Sequence, residues 1–453
     1  MGKVNTVCIA SDCFCPDAGG VENHIMAVAQ CLREMGKRVV VLTRYRGERV
    51  GVRYMLNGVK VYYLPLPPMP DVFSSGRVTL PTMTSFFPLF RDIVLREGVD
   101  MVHAHQAFST LGYECLLFSQ VLGIRTAFTD HSLFGFEDGS ALMMNRIMEM
   151  LVSNADAIFC VSRVGRENTV LRGRLPAAKV SVMPNAVDAT AFRPSPLPAQ
   201  QERIVVVAIG RLVLRKGVDL LARIIPIVCA RLPHVDFVIG GDGPRRVVVE
   251  EMRDRYNLHE RVRLLGKVEH HDVPATIRSG HIFLNCSFTE AFCIAVLEAV
   301  SCGRVVVTTD VGGVAEVLPP TFAYYSQPDP EEMAAVLVEV VEKEKYKVDV
   351  DALHGFVASS YSWRRSTADM VDVYEKVCED MPKRWKDKAN IMAGYGPIIG
   401  FIFILAFSLL SLLSLLLSHL RPAMEVGRSI DIAEERWIEK RGKGKVGGGT
   451  ATT

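Results

Sequence analysis

The sequence predicts an α/β protein: two doubly wound, Rossmann-like parallel sheets that face a cleft, followed by one membrane-spanning helix. Three observations carry this. Strand–helix alternation runs twice along the chain, a proline-rich break separates the two runs, and a 20-residue apolar stretch without a charge follows the second run. At 453 residues the chain is too long for one ordinary core, which fits two domains and an added segment.

The first run spans residues 1–187. The segments VNTVCIA, RVVVLT, VKVYYL, VDMVHA, RTAFTD, AIFCVS and KVSVMP read as β-branched strands, and helical patterns such as VENHIMAVAQCLREMG lie between them. The alternation breaks at 188–202, where Pro194, Pro196 and Pro198 mark a linker. It restarts at RIVVVAIG and continues through VDFVIGG, VRLLG, HIFLNC, RVVVTT and FAYYS. A helical pattern from Trp363 to Met381 closes this second domain, taken as residues 203–382. In open parallel sheets, ligands bind outside the carboxyl ends of the strands, so the loops after strands are where chemistry is expected.

The apolar run Ile398 to Leu417 has the length needed to cross a hydrocarbon core, and 397–419 is read as a single spanning helix. Its serines are tolerable because a helical hydroxyl can bond a carbonyl one turn back. Lys383, Arg384, Lys386 and Lys388 precede it, and Arg421, Arg428 and the basic stretch Lys440 to Lys445 follow. The bias close to the membrane favours a cytoplasmic N-terminal part. The charged, Gly- and Thr-ended tail 420–453 is expected to be disordered. No secretory signal is present: Val7 to Ala10 is too short for one, and Asp12 ends it. Met1-Gly2 with Thr6 fits the loose myristoylation pattern, but the same stretch reads as the opening strand.

Composition narrows the function. Hydrophobic residues make up 49% and charged residues 23%, which excludes a disordered chain, and a net charge of +2 on mixed signs gives no footprint for nucleic acid. The 11 cysteines, an odd number scattered from Cys8 to Cys378, suit reduced thiols facing the cytosol rather than a disulfide framework. Cys13 and Cys15 have the wrong spacing for zinc, and no His/Cys partner pair follows.

Candidate site residues gather after strands. Glu290 and Glu298 stand eight apart in TEAFCIAVLEAVSCG, just past HIFLNC. Phe292 to Val300 reads as an apolar helix whose N-terminal N–H groups, from Phe292, Cys293 and Ile294, can hold a phosphate. Glu290 would then face a sugar and Glu298, two turns on, a ribose; the alternative is a first-turn glutamate that only stabilises the helix. Arg211 and Lys216, with Arg215 behind them, follow RIVVVAIG and suit a diphosphate whose charge grows as it leaves. The spacing is not that of a P-loop. Gly19 and Gly20 let the backbone approach a ligand and begin a helix that carries His24 one turn in. His131, beside Asp130 in TAFTDHSLFGF, could contact a sugar or an acceptor hydroxyl, or be an ordinary structural histidine. Gly240, Gly241 and Gly243, and the pair Gly312-Gly313, either shape the nucleotide pocket or only turn the chain. No Asp-x-Asp metal motif follows a strand.

These residues resemble the retaining glycosyltransferases of family four, which have the two-domain GT-B fold. The carrying pieces are Gly19-Gly20, Pro184 to Asp188, Gly210-Arg211-Leu212 with Lys216-Gly217, and Glu290 to Glu298. More narrowly, SDCFCPDAGGVENHI, GVRYMLNGVKVYYLP, TDHSLFGFED, SRVGRENTVLR, RKGVDLLARIIP, DRYNLHERVRLLG and GHIFLNCSFTEAFCIAVLEA are similar to the family of phosphatidylinositol N-acetylglucosaminyltransferase catalytic subunits. The resemblance covers about Val4 to Pro319 and the C-terminal apolar helix. It implies transfer of N-acetylglucosamine from UDP-GlcNAc to phosphatidylinositol, the first step of glycosylphosphatidylinositol (GPI) anchor synthesis, with retention. It also implies the endoplasmic reticulum membrane, small membrane subunits as partners, and no cofactor or metal. By the same resemblance, Arg211, Lys216, Glu290 and Glu298 bind the donor, while Gly19, Gly20 and His131 lie near the inositol lipid. Ala291 departs from the Gly or Ser common in the wider family. The alternatives are a lipid mannosyltransferase, or a catalytically silent scaffold or sugar-nucleotide sensor.

Overall fold

The computed structural model describes residues 3–17, 19–69, 78–134, 139–197 and 203–427, with backbone alone for 139–144. The N-terminal glycine, Pro198 to Gln201, Arg428 and the basic tail lie outside the described residues.

The first half is the sheet β3-β4-β2-β1-β5-β6-β7-β8. In chain order its elements are β1 (Thr6–Ala10), α1 (Gly20–Glu34), β2 (Arg38–Arg44), β3 (Gly51–Tyr54), β4 (Lys60–Leu64), α2 (Phe87–Glu97), β5 (Met101–His105), α3 (Thr110–Leu122), β6 (Arg125–Asp130), α4 (Gly139–Val152), β7 (Ala157–Cys160), α5 (Arg163–Gly173) and β8 (Val180–Val182). Every neighbour pairs in parallel except β3 with β4. The five residues of β1 are all buried, as a strand covered on both faces requires. β3 escapes sequence reading because all four of its residues are exposed, so no buried face leaves a pattern.

The second half is the parallel sheet β11-β10-β9-β12-β13-β14. Its elements are β9 (Ile204–Ile209), α6 (Val218–Arg231), β10 (Val235–Gly240), α7 (Arg246–Arg255), β11 (Val262–Gly266), α8 (Val273–Arg278), β12 (Ile282–Asn285), α9 (Ile294–Ser301), β13 (Val305–Thr309), β14 (Ala323–Ser326), α10 (Pro330–Glu342) and α11 (Val350–Ser360). Asp329 and Asp349 cap the last two helices through backbone N–H groups. The linker is not a free tether. Phe192 lies in the second core, and the buried Arg304 guanidinium donates to the carbonyls of Ser195 (2.9 Å) and Pro196 (3.2 Å).

The closing helix, α12 (Trp363–Glu379), follows the second sheet in sequence yet packs on the first. Met370, Val371 and Tyr374 join the core under β1 and β2, and the Tyr374 hydroxyl lies 2.5 Å from His103 Nδ1. It lies there beside α1, whereas α6 and α10 pack together on the second sheet. The expected assignment of residues through 382 to the second domain is corrected here: the chain returns to the first.

Two further helices follow, α13 (Trp385–Ala393) and α14 (Pro397–Leu420). α14 is apolar enough to cross a membrane, with a mean hydropathy of 2.7. One side of it packs on α3 through the buried Phe407 and Leu410, and its far end is held where Arg91 donates to Ser418 Oγ (3.3 Å) and Arg421 pairs with Asp92 (2.5 Å). The opposite side presents Phe401, Ile402, Leu409, Leu412 and Leu416 to the outside. All eleven cysteines carry free thiols.

Candidate active site

A cleft of about 2120 Å³ opens between the two halves. Among its lining residues are Gly19, Gly20, His131, Arg211, Lys216, Gly241, Glu290, Phe292, Cys293, Ile294 and Glu298, so most of the residues singled out from sequence meet in one place.

The floor on the second half is made by the loops after β9, β12 and β13, which hydrogen bonds tie together. Phe288 N–H donates to the Arg215 carbonyl (3.0 Å), Thr309 Oγ1 to the Ser287 carbonyl (2.6 Å), and Gly313 N–H to the Glu290 carbonyl (2.9 Å). Two glycines let these loops touch. At Gly217 (φ 69°) a Cβ would stand 1.7 Å from the Cys286 carbonyl oxygen, and at Gly241 (φ 141°) 1.8 Å from that of Gly210.

On this floor Lys216 pairs with Glu290, and Ser287 Oγ donates to the same carboxylate oxygen at 2.8 Å. Burial works to lower the Lys216 pKa, but the Glu290 carboxylate outweighs it and holds the ammonium above its usual value. An ammonium has three donors, so pairing with Glu290 leaves others for a phosphate. Arg211 is exposed on the cleft wall. The helix behind the site begins later than the sequence suggests. α9 starts at Ile294, and Cys293 sits in the left-handed region at φ 64°. That turn, unusual for a residue with a side chain, aims the first free N–H groups of α9 into the cleft. Phe292 is buried with its ring 5.9 Å from Tyr361, so it meets the cleft as backbone more than as a side chain. Glu298, half-buried one helical face away, has its carboxyl pushed up to about 7 by burial, with Lys216 pulling it down.

The first half faces this floor. Gly20, at the start of α1, comes within 4.0 Å of the Ile294 side chain across the cleft, measured from its would-be Cβ. The N-termini of α1 and α9 therefore oppose each other. Below them lies a histidine cluster of which sequence reading found two members. His24 Nδ1 bonds Asn185 Oδ1 at 2.7 Å, and its ring lies 4.6 Å from that of His131. His105 Nδ1 lies 3.1 Å from His131 Nε2, and His103 Nε2 lies 2.7 Å from Thr129 Oγ1. Burial lowers the pKa of His24 to about 4 and holds those of His103, His105 and His131 well below the ordinary value, so all four rings are neutral near pH 7. Only His131 of the four lines the cleft, where a neutral imidazole can donate to or accept from a polyol hydroxyl; His24, named from sequence as a substrate contact, is fully buried behind it. Ring nitrogens of His24, His105 and His131 lie within 4.8 Å of one another; His24 Nδ1 is held by Asn185 and His105 Nδ1 by His131, while Nε2 of His24 and of His105 is buried without a partner. His103 and His105 went unseen because they alternate with apolar residues inside a strand; the repeated His in VHAH was the available signal.

Two carboxylates play supporting roles. Asp130 is committed to Arg172 (2.9 Å), Thr169 Oγ1 (3.0 Å) and Ser132 N–H (3.0 Å), which fixes the chain on either side of His131. Buried Asp12, also missed, accepts from Leu111 N–H, Ser109 Oγ and Thr79 N–H, each at 3.0 Å, and so joins the loops after β1 and β5.

Comparison with known proteins agrees with this geometry. A family model described as PIGA (GPI anchor biosynthesis) matches residues 44–138, and one described as glycosyl transferases group 1 matches residues 191–352. The chain is 40% identical to a phosphatidylinositol N-acetylglucosaminyltransferase subunit of Homo sapiens, covering 98% of this chain and 92% of that one. It is 41% identical to the protein of the same name in Arabidopsis thaliana, over 94% of each. Among solved structures, sucrose-phosphate synthase from Thermosynechococcus elongatus superposes with a TM-score of 0.68 at 18% identity, covering 82% of this chain and 99% of that one, which shows the shared GT-B fold.

Proposed function

The chain belongs to the family of phosphatidylinositol N-acetylglucosaminyltransferase catalytic subunits, and from that premise we propose how it works: it transfers N-acetylglucosamine from UDP-GlcNAc to phosphatidylinositol, the opening reaction of GPI anchor synthesis. The observation that carries the mechanism is the Lys216–Glu290 pair at the mouth of α9, which shares the cleft with the neutral His131. One side can hold a charged donor and the other an uncharged polyol.

In this reading Lys216, Arg211 and the free N–H groups at Cys293 and Ile294 take the diphosphate and stabilise charge that builds on it as the glycosidic bond breaks. Glu290 lies beside the sugar, where the anomeric carbon turns cationic, and Glu298 accepts from the ribose hydroxyls. His131, oriented by His105, meets the inositol ring near Gly19 and Gly20. The Glu290 carboxylate, held by Lys216 and Ser287, stabilises this charge rather than attacking, so the acceptor attacks on the face the phosphate leaves, and the leaving phosphate takes its proton. Cations and helix dipole stand where a metal would otherwise be needed, and no cofactor is involved. The catalytic part faces the cytoplasm at the endoplasmic reticulum membrane, held by α14 as a single span, and works with small membrane subunits. Relatives named as one subunit of this transferase support such an assembly.

Product analysis tests the reading. Membranes containing the chain, given labelled UDP-GlcNAc and phosphatidylinositol, should yield N-acetylglucosaminyl-phosphatidylinositol. Transfer from GDP-mannose instead would make it a lipid mannosyltransferase, and binding of donor without any product would make it a sensor.

A further inference from the structure

The cleft is larger than one substrate needs. A drug-sized ligand occupies about 300–1,000 Å³, whereas this cavity measures about 2120 Å³. Part of its lining is apolar: Tyr113 and Leu117 of α3, Ile147 and Leu151 of α4, and Phe403 of α14. Three helices thus share one groove, and their arrangement is fixed. Leu117 belongs to the core that receives Phe407 and Leu410 of α14. At the entry to α14, Tyr395 donates its hydroxyl to the Met150 carbonyl (2.9 Å), accepts from Arg146 at its own carbonyl (3.3 Å), and sets its ring 5.9 Å from Phe403.

The position of Phe403 says what enters. It is six residues beyond Pro397, about 9 Å along the helix at 1.5 Å per residue. Beside it on the outer face of α14, Phe401 and Ile402 are exposed, so the groove runs from the polar cleft to an apolar outer surface.

We propose that the groove between α3, α4 and α14 is an acyl-chain subsite, which takes the fatty acyl chains of a glycerophospholipid acceptor while its headgroup reaches the histidine cluster. The inference rests on the acceptor being a phospholipid. It assigns α14 a part in substrate binding beyond anchoring: the helix supplies one wall of the acceptor site.

The test compares two acceptors, long-chain phosphatidylinositol and deacylated glycerophosphoinositol, using the full-length chain in its native membrane complex. Wild-type activity is read first. Failure on both acceptors would sink the functional reading itself, before any variant is made. Given activity, Ile147→Trp and Leu151→Trp fill the groove. The ratio of kcat/KM for the long-chain acceptor to that for the deacylated one should fall at least tenfold, with the KM for UDP-GlcNAc unmoved, and Leu151→Met should restore it. An unchanged ratio in a variant that keeps activity overturns the proposal, and the smaller filler Ile147→Phe is read in place of any Trp variant that loses both acceptors equally through misfolding.

Discussion

Glu298→Gln should stabilise the protein and weaken its grip on the donor at the same time. Burial raises the Glu298 carboxyl from the ordinary 4.5 to about 7, against the pull of Lys216. At 1.36 kcal/mol per pH unit that span is worth about 3 kcal/mol, which solvent at the partly exposed side chain trims to about 2 kcal/mol. The folded chain keeps this proton to a higher pH than the unfolded chain does. Stability is therefore lost as pH climbs from about 4.5 to about 7 and stays lost above that window. Glutamine removes the titration, so the variant should gain about 2 kcal/mol at pH 8 and almost nothing near pH 4.5. Thermal unfolding at the two pH values reads this as a midpoint raised by a few degrees at pH 8 only. Donor binding should move the other way. Ribose hydroxyls donate to the anion, so wild-type affinity for UDP-GlcNAc should rise with pH up to about 7, by as much as about tenfold per unit on the acid side. The variant should show a flat profile and a loss of about 1–3 kcal/mol in binding. A wild-type affinity that does not change with pH, or a variant less stable than wild type at pH 8, would refute the reasoning.

Four other outcomes are expected. Glu290→Gln should lower turnover by about 100-fold or more while changing the KM for UDP-GlcNAc much less, because the charge it loses acts on the transition state; normal turnover in steady-state assays would reverse the roles given to the two glutamates. Gly217→Ala should cost about 2 kcal/mol or more and disturb Lys216, since its Cβ would meet the Cys286 carbonyl at a positive φ, and a stability equal to wild type would contradict this. Activity should survive EDTA; complete loss restored by manganese would mean that the diphosphate is held by a metal. Protease added to sealed microsomes should digest the catalytic part, and protection of that part would overturn a cytoplasmic orientation.

The sheets were legible because buried parallel strands must be runs of Val, Ile and Leu, and loops after them were legible as the place for chemistry. β3 was not, since its residues are exposed, nor was the fate of α12, since a helix's apolar face does not say which sheet it will cover. Individual site residues could be picked out by type and position, as Lys216 and Glu290 were. Their pairing could not, because 74 residues separate them and only the fold joins the two loops. The histidine cluster divides the same way. His24 and His131 stand after strands and drew notice, whereas His103 and His105 lie within β5, and Asn185, which orients His24, comes from a motif with no evident chemistry of its own. Cys293 shows a further limit: nothing in a cysteine announces a left-handed backbone.

The return of α12 to the first sheet changes how the protein can be taken apart. The amino-terminal half is completed by residues nearly two hundred positions away, because Tyr374 reaches His103 and Trp363 sets its ring 5.2 Å from that of His24. A fragment ending at the linker would leave Val7, Val39 and Val41 without their cover of Met370 and Val371, and the histidines without their backing. It would expose core to water and aggregate. Division of labour between donor and acceptor sides is thus not division of the polypeptide. The chain crosses between the halves a second time, so the opening and closing of the cleft must pivot on two strands of backbone, and a nick in either one would loosen both halves.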